Sequence, residues 1–325
     1  STRTVGNEAG NGDGEFNYYA ANGVNYVFVT GKEYAGDYFK KFNNRQYPGI
    51  TAEQDNEPLP VPDWGEHGNN GNAFAGGVSD SVRGACGMIL ERRSLVAHKA
   101  WFYFDEEFVC LGAGIRNASG KADVYTTVNQ CNEDGKVQYA CGKDVLTLTE
   151  SASLKDLKWV LHGHVGYYNL HPQAEYRVAC PNGLFTLNIN HGLCPERGTY
   201  AYVVRPNVKD AKDAGAYAKR IPVEILSNTE RLQAVRHTKL EVTEAIFYQA
   251  GTLSLPDGVT LKVDAPCTLM WNGKTRKIHV ANPYCESQNP TTITVALTQE
   301  GESRKLVFEL PQGEFAGSTV AKVVK

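Results

Sequence analysis

The 325-residue sequence predicts an all-β protein, a large antiparallel β-sandwich followed by a smaller one. Short runs of β-branched and aromatic residues recur along the whole chain, many with period-two alternation. Turn signals such as "EDGK", "CGKD", "CPNG", "LPDG" and "WNGK" separate them. Only one segment has the composition of a helix. Many short strands at regular spacing stack as antiparallel sheets, which is the sandwich architecture.

In chain order, Asn25–Thr30 ("NYVFVT") reads as the first strand. Ala100–Gly112 ("AWFYFDEEFVCLG") reads as a hairpin turning at Asp105 and Glu106. Asp123–Val128, Leu184–Asn190, Thr199–Pro206 and Ile221–Ser227 are further strands. Between the last two, Val208–Arg220 ("VKDAKDAGAYAKR") is rich in Ala and Lys and is framed by Pro206 and Pro222, so it reads as a helix. A break near Thr238–Thr243 divides the chain into domains 1–240 and 241–325. Beyond it, "AIFYQAGTLSL", "GVTLKV", "CTLMWNG", "RKIHVANP" and "TTITVAL" supply the strands of a compact second sandwich. No repeat of solenoid period is present.

Composition narrows the function. The formal charge of −3 argues against a general nucleic-acid binder, which would carry a basic excess. No apolar run approaches the roughly 20 residues of a membrane-spanning helix, so no membrane partner is expected. No signal peptide is visible, and an opening on Ser1 is what a mature or truncated product would show. The eight cysteines contain no C-x-x-C pair, which argues against a zinc site. Cys110 reads as a buried strand residue; Cys131 and Cys141 flank a turn, and the sequence leaves a bridge between them open. His162 and His164 ("LHGHVG") alternate along an expected strand and would share a face, but no third ligand stands near them. Asp105, Glu106 and Glu107 could hold calcium, although an acidic hairpin turn is the simpler account. No other cofactor is expected. Asn117-Ala-Ser119 is a formal glycosylation sequon.

The unusual chemistry is at the front. Residues 1–80 are rich in Gly, Pro, Asn and acids, and Trp64–Gly77 ("WGEHGNNGNAFAGG") has no regular period. Connections this long are usually functional or disordered. On residue types alone, the loop reads equally as polar groups capping one another.

The order "STRTVGNEAGNG", "YFKKF…YPGIT", "WGEHGNNGNAFAGGVSDSV", "AHKAWFYFDEEFVCLGAGI", "TTVNQ", "GYYN", "NINHG…YAYVVRPNV" resembles polysaccharide lyase family 8 over nearly the whole chain, and the chondroitin lyases above all. The resemblance implies a galactose-mutarotase-like supersandwich followed by a small sandwich. It also implies an N-terminal α-helical toroid, absent from this sequence, that carries the family's catalytic Asn, His and Tyr. That helical domain and an acidic polysaccharide are the implied partners. A secreted bacterial protein, extracellular or periplasmic, is the implied setting.

The implied reaction is β-elimination at a uronic acid. A base removes the proton on carbon 5, and the oxygen on carbon 4 leaves. That proton is poorly acidic while the neighbouring carboxylate is charged, so the site must neutralise the carboxylate and protonate the leaving oxygen. By resemblance, Glu66 matches the family's active-site glutamate, Asn69 a carboxamide close to substrate, and Arg3 an arginine near the leaving oxygen. His67 falls on a variable family position and reads as a surface imidazole. AC-type relatives place a sugar-stacking Trp soon after "TTVNQ", whereas Asn129–Gly135 ("NQCNEDG") has none. The competing reading is a non-catalytic sandwich module that binds glycans or scaffolds a partner.

Overall fold

The computed structural model describes residues 18–59, 72–284 and 290–325 in full, together with the backbone of the strands Val5–Glu8 and His67–Asn69. Among these residues four large antiparallel sheets stack face to face. The first has five strands, in the order Ala152–Leu154, Glu175–Ala179, Leu184–Asn190, Val124–Asn132 and Thr51–Glu53. Nine strands make the second, running from Asp144–Thr147 at one edge to Ala75–Ser79 at the other. A six-stranded sheet and a four-stranded sheet complete the stack.

The nine-stranded sheet is covered on both faces, and its sequence shows it. Strands buried on both sides read as continuous apolar runs. In Leu95–Tyr103, Leu95, Ala97 and Trp101 enter the core shared with the five-stranded sheet, whereas Ala100 and Phe102 enter the core shared with the six-stranded sheet. Cys110 and Ile115 face the first core, and Val109 and Leu111 the second. Tyr200, Tyr202 and Val204 likewise alternate with Ala201 and Val203. The third core, holding Phe247, Leu261, Leu269, Trp271 and Phe308, lies between the six- and four-stranded sheets.

Most expected elements are present. The hairpin turns at Asp105 and Glu106 between Leu95–Tyr103 and Phe108–Asn117. The helix is Ala211–Ala218, shorter than its Pro-framed segment; Asp210 caps it by accepting from the Asp213 N–H at 2.8 Å. A single helical turn at Tyr38–Lys41 is additional.

Several expectations are corrected. Asn25–Thr30 is not a strand: it joins no ladder, and its aromatic rings pack on Tyr34 instead. The division at residue 240 falls between two hydrogen-bonded strands, Leu232–His237 and Val242–Phe247, of the six-stranded sheet, which begins at Val223. Cys131 and Cys141 are free thiols, because the chain between them crosses from the five-stranded to the nine-stranded sheet. His162 ends a strand, but His164 sits in the turn after it with φ 64°, so the two do not share a strand face. Asn117 is buried and donates to Ser119 Oγ at 3.2 Å, which leaves the sequon closed to a glycan.

Candidate functional site

Of the residues singled out by sequence, Arg3 and Glu66 lie outside the described residues. Asn69 is placed by its backbone: Val5–Glu8 and His67–Asn69 pair antiparallel as a two-stranded ribbon, with Val5 opposite Asn69 and Glu8 opposite His67. Segments about sixty residues apart in sequence are thereby brought side by side.

The stems of this region converge on one hairpin of the nine-stranded sheet, the turn joining Gly84–Arg92 to Leu95–Tyr103. The Arg92 guanidinium lies 4.2 Å from the Tyr18 ring centroid and donates to the Tyr18 carbonyl, a cation–π contact plus a charge-assisted hydrogen bond. Glu57 reaches Arg93 at 4.0 Å and Lys121 at 2.6 Å. On the far side of the loop, Asn72 Nδ2 donates to Glu91 at 3.3 Å while its Oδ1 accepts from the Phe74 N–H at 2.9 Å. Phe74 is fully buried, with its ring 4.7 Å from that of Tyr248, and pins the chain before it enters the sheet. The polar loop is therefore long but held at both feet.

A second set of polar groups, not singled out by sequence, surrounds the acidic turn at the opposite end of the same sheet. Asp105 makes a two-pronged pair with Arg83, at 2.6 and 2.9 Å, and this holds its carboxyl below the usual range. Glu106 faces Arg205 at 3.8 Å, and buried Glu107 lies with one carboxylate oxygen 3.0 Å from His237 Nε2. These carboxylates are taken up by bases from neighbouring strands. Among the described residues, no three His, Cys, Asp or Glu side chains group to hold a metal ion, calcium included. Lone charges inside apolar runs, such as Lys99 in "AHKAWFYF" and Glu244 in "EVTEAIFY", were the sequence signal for further buried polar chemistry.

Four stacked antiparallel sheets, with a shared core at each interface, form a super-sandwich. The chain belongs to polysaccharide lyase family 8: the family's super-sandwich domain matches residues 1–182 and its C-terminal β-sandwich domain residues 224–294. It is 34% identical to a chondroitinase-AC of Pedobacter heparinus, over 98% of this chain and 48% of that protein. Similarity to a hyaluronate lyase of Thermasporomyces composti is 27%, over 100% of this chain and 46% of the relative. A solved chondroitinase AC lyase superposes with a TM-score of 0.87 at 32% identity, covering 97% of this chain and 49% of that one. The chain thus spans about half the length of these relatives.

Proposed function

We propose that this chain is the β portion of a glycosaminoglycan lyase that cleaves uronate-containing polysaccharide, chondroitin sulfate first, by β-elimination. The observation that carries the reading is the family match over a fold whose ribbon sets the strand after Arg3 beside Asn69. The partial length of the match supports a second partner, a helical N-terminal domain that supplies the base.

In the proposed step the base takes the carbon-5 proton. The freed electron pair forms the carbon 4–carbon 5 double bond, and the carbon 4–oxygen bond breaks. The leaving oxygen takes a proton, so the products are an unsaturated uronate end and a new reducing end. Asn69 donates to the uronate carboxylate and draws off part of the charge that builds during proton removal. Glu66 orients the basic groups facing it across the cleft, and Arg3 steadies the leaving oxygen. Such a polymer is met outside the cytoplasm, so the protein is placed in the periplasm or beyond the cell.

The test is complementation. The 325-residue chain alone should release no unsaturated uronate from chondroitin sulfate, as followed by ultraviolet absorbance. Adding the helical half of a family relative should restore turnover. Release by the chain alone would move the catalytic base into these residues and overturn the assignment.

A further inference from the structure

The geometry points to a second sugar site in this chain, a cleft of about 410 Å3 that takes an N-acetylhexosamine ring. That the ring belongs to a glycan rests on the function proposed above. The cleft lies between the turn at Asp105–Glu107, the helix Ala211–Ala218 and the segment from His237 to Leu240. Strand Leu95–Tyr103 runs from the hairpin that holds Tyr18, Glu57 and Asn72 to this turn. Nine residues at about 3.4 Å each put the cleft roughly 30 Å from that hairpin.

The wall is built rather than incidental. Arg205 is largely buried, with its guanidinium 4.9 Å from the Tyr217 ring centroid and 3.2 Å from Asp213. His237 Nδ1 accepts from the Leu240 N–H at 3.2 Å, which turns Nε2 toward Glu107, 3.0 Å away. The Nε of Arg205 and the Tyr217 hydroxyl are buried without a well-formed hydrogen bond.

The charges select the ligand class. Asp105 is turned to Arg83, so Glu106, Glu107 and Asp213 remain against Arg205, Arg220 and Lys239. An anion would meet three carboxylates and a cation three bases. A neutral ring with several hydroxyls satisfies both sets, beside the partly exposed Tyr217. Pro222 and Leu240 supply an apolar corner for an acetamido methyl. In a polymer alternating uronate and hexosamine, the hexosamine therefore fits here, and the site would hold substrate remote from the cleavage loop.

Saturation-transfer NMR on the 325-residue chain tests this, using methyl N-acetyl-β-galactosaminide and methyl β-glucuronide as separate probes. The galactosaminide acetamido methyl should receive strong saturation and the glucuronide little. Tyr217→Ala and Glu106→Gln should each cut the galactosaminide signal at least fivefold, while Lys262→Ala, on the four-stranded sheet, leaves it unchanged. Glu106 is an exposed side chain, so its variant keeps the test valid if Tyr217→Ala misfolds. A signal that survives both substitutions, or one no stronger than the glucuronide's, would overturn the site. Lack of turnover in the complementation assay with galactosaminide binding intact would remove the lyase reading and leave this one standing.

Discussion

Three side chains carry most of the residue-scale chemistry. Glu66 is the first: if its carboxylate orients basic groups against the uronate, Glu66→Gln in the complemented enzyme should lower kcat with little change in KM. A preorganised contact of this kind is worth about 2.7–4 kcal/mol, a loss of roughly a hundred- to a thousandfold. His67→Ala should cost much less, and steady-state kinetics of the two variants would expose an exchange of roles. Lys99 is fully buried, with Nζ donating to the Gly49 carbonyl at 2.5 Å and lying 3.3 Å from Thr51 Oγ1. Burial pulls it from 10.5 to about 7. Between those values the unfolded chain binds the extra proton, so Lys99 makes stability rise with pH from about 7 to 10.5. Lys99→Met should flatten that rise in chemical denaturation across the range, and should lose about 1–3 kcal/mol by orphaning its acceptors. Glu244 has the opposite sign. It faces the nine-stranded sheet, near Asp80, Arg83 and the Tyr103 N–H, and burial raises its carboxyl well above 4.5. Above pH 4.5 the folded chain holds the proton that the unfolded chain has released, so stability falls as pH rises. Glu244→Gln should melt higher than the parent at pH 8, by a margin that shrinks toward pH 5; equal melting curves would refute it.

At the scale of elements, close approach between sheets fixes particular positions. A Cβ on Gly87 would stand 2.6 Å from Ile246 Cγ2, across the interface of the nine- and six-stranded sheets. On the other face of the sheet, a Cβ on Gly112 would enter the Tyr200 ring. Gly87→Ala should therefore destabilise by about 1–3 kcal/mol through overpacking. Paired with Ile246→Ala it should cost less than the sum of the two single changes, because the smaller side chain makes room. A double-mutant cycle in urea measures the coupling, and strict additivity would show that the sheets do not meet there. The helix Ala211–Ala218 acts at this scale too: it seats Ala214 in the core and leaves Tyr217 on the wall of the hexosamine cleft.

For the whole molecule, the second core decides how the sandwiches behave. Phe102, Leu111 and Val203 of the nine-stranded sheet share it with Val235, Ile246 and Met270 of the six-stranded sheet. A core shared in this way couples the two sandwiches into one cooperative unit. Thermal unfolding followed by far- and near-ultraviolet circular dichroism should give coincident transitions. A chain truncated after residue 240 should fail to fold, because the cut leaves Leu232–His237 without its partner strand and opens the second face of the central sheet. Two separated transitions, or a stable truncated protein, would show the sandwiches to be independent.

Strand identity was legible wherever side-chain period and turn residues act locally. Leu184–Asn190 and the hairpin at Asp105 are in the structure as the sequence alone determines them. The family was legible as well, because the Trp64–Gly77 loop and the double-faced "AWFYF" run keep their order along the chain. Asn25–Thr30 misled because its alternating pattern serves aromatic packing on Tyr34, which a local pattern cannot distinguish from a ladder. Only tertiary structure decided that Val223–Asn228 and Leu232–His237 join the six-stranded sheet, since that pairing depends on strands still to come in sequence. Only it could set Val5 against Asn69, or bring Glu107, Arg205, Tyr217 and His237 around one cleft. Arg205, Tyr217 and His237 carry no signal of such a cleft in their own segments. The chemistry arises from contacts and charges across elements far apart in the chain, and a one-dimensional pattern holds no record of such distances.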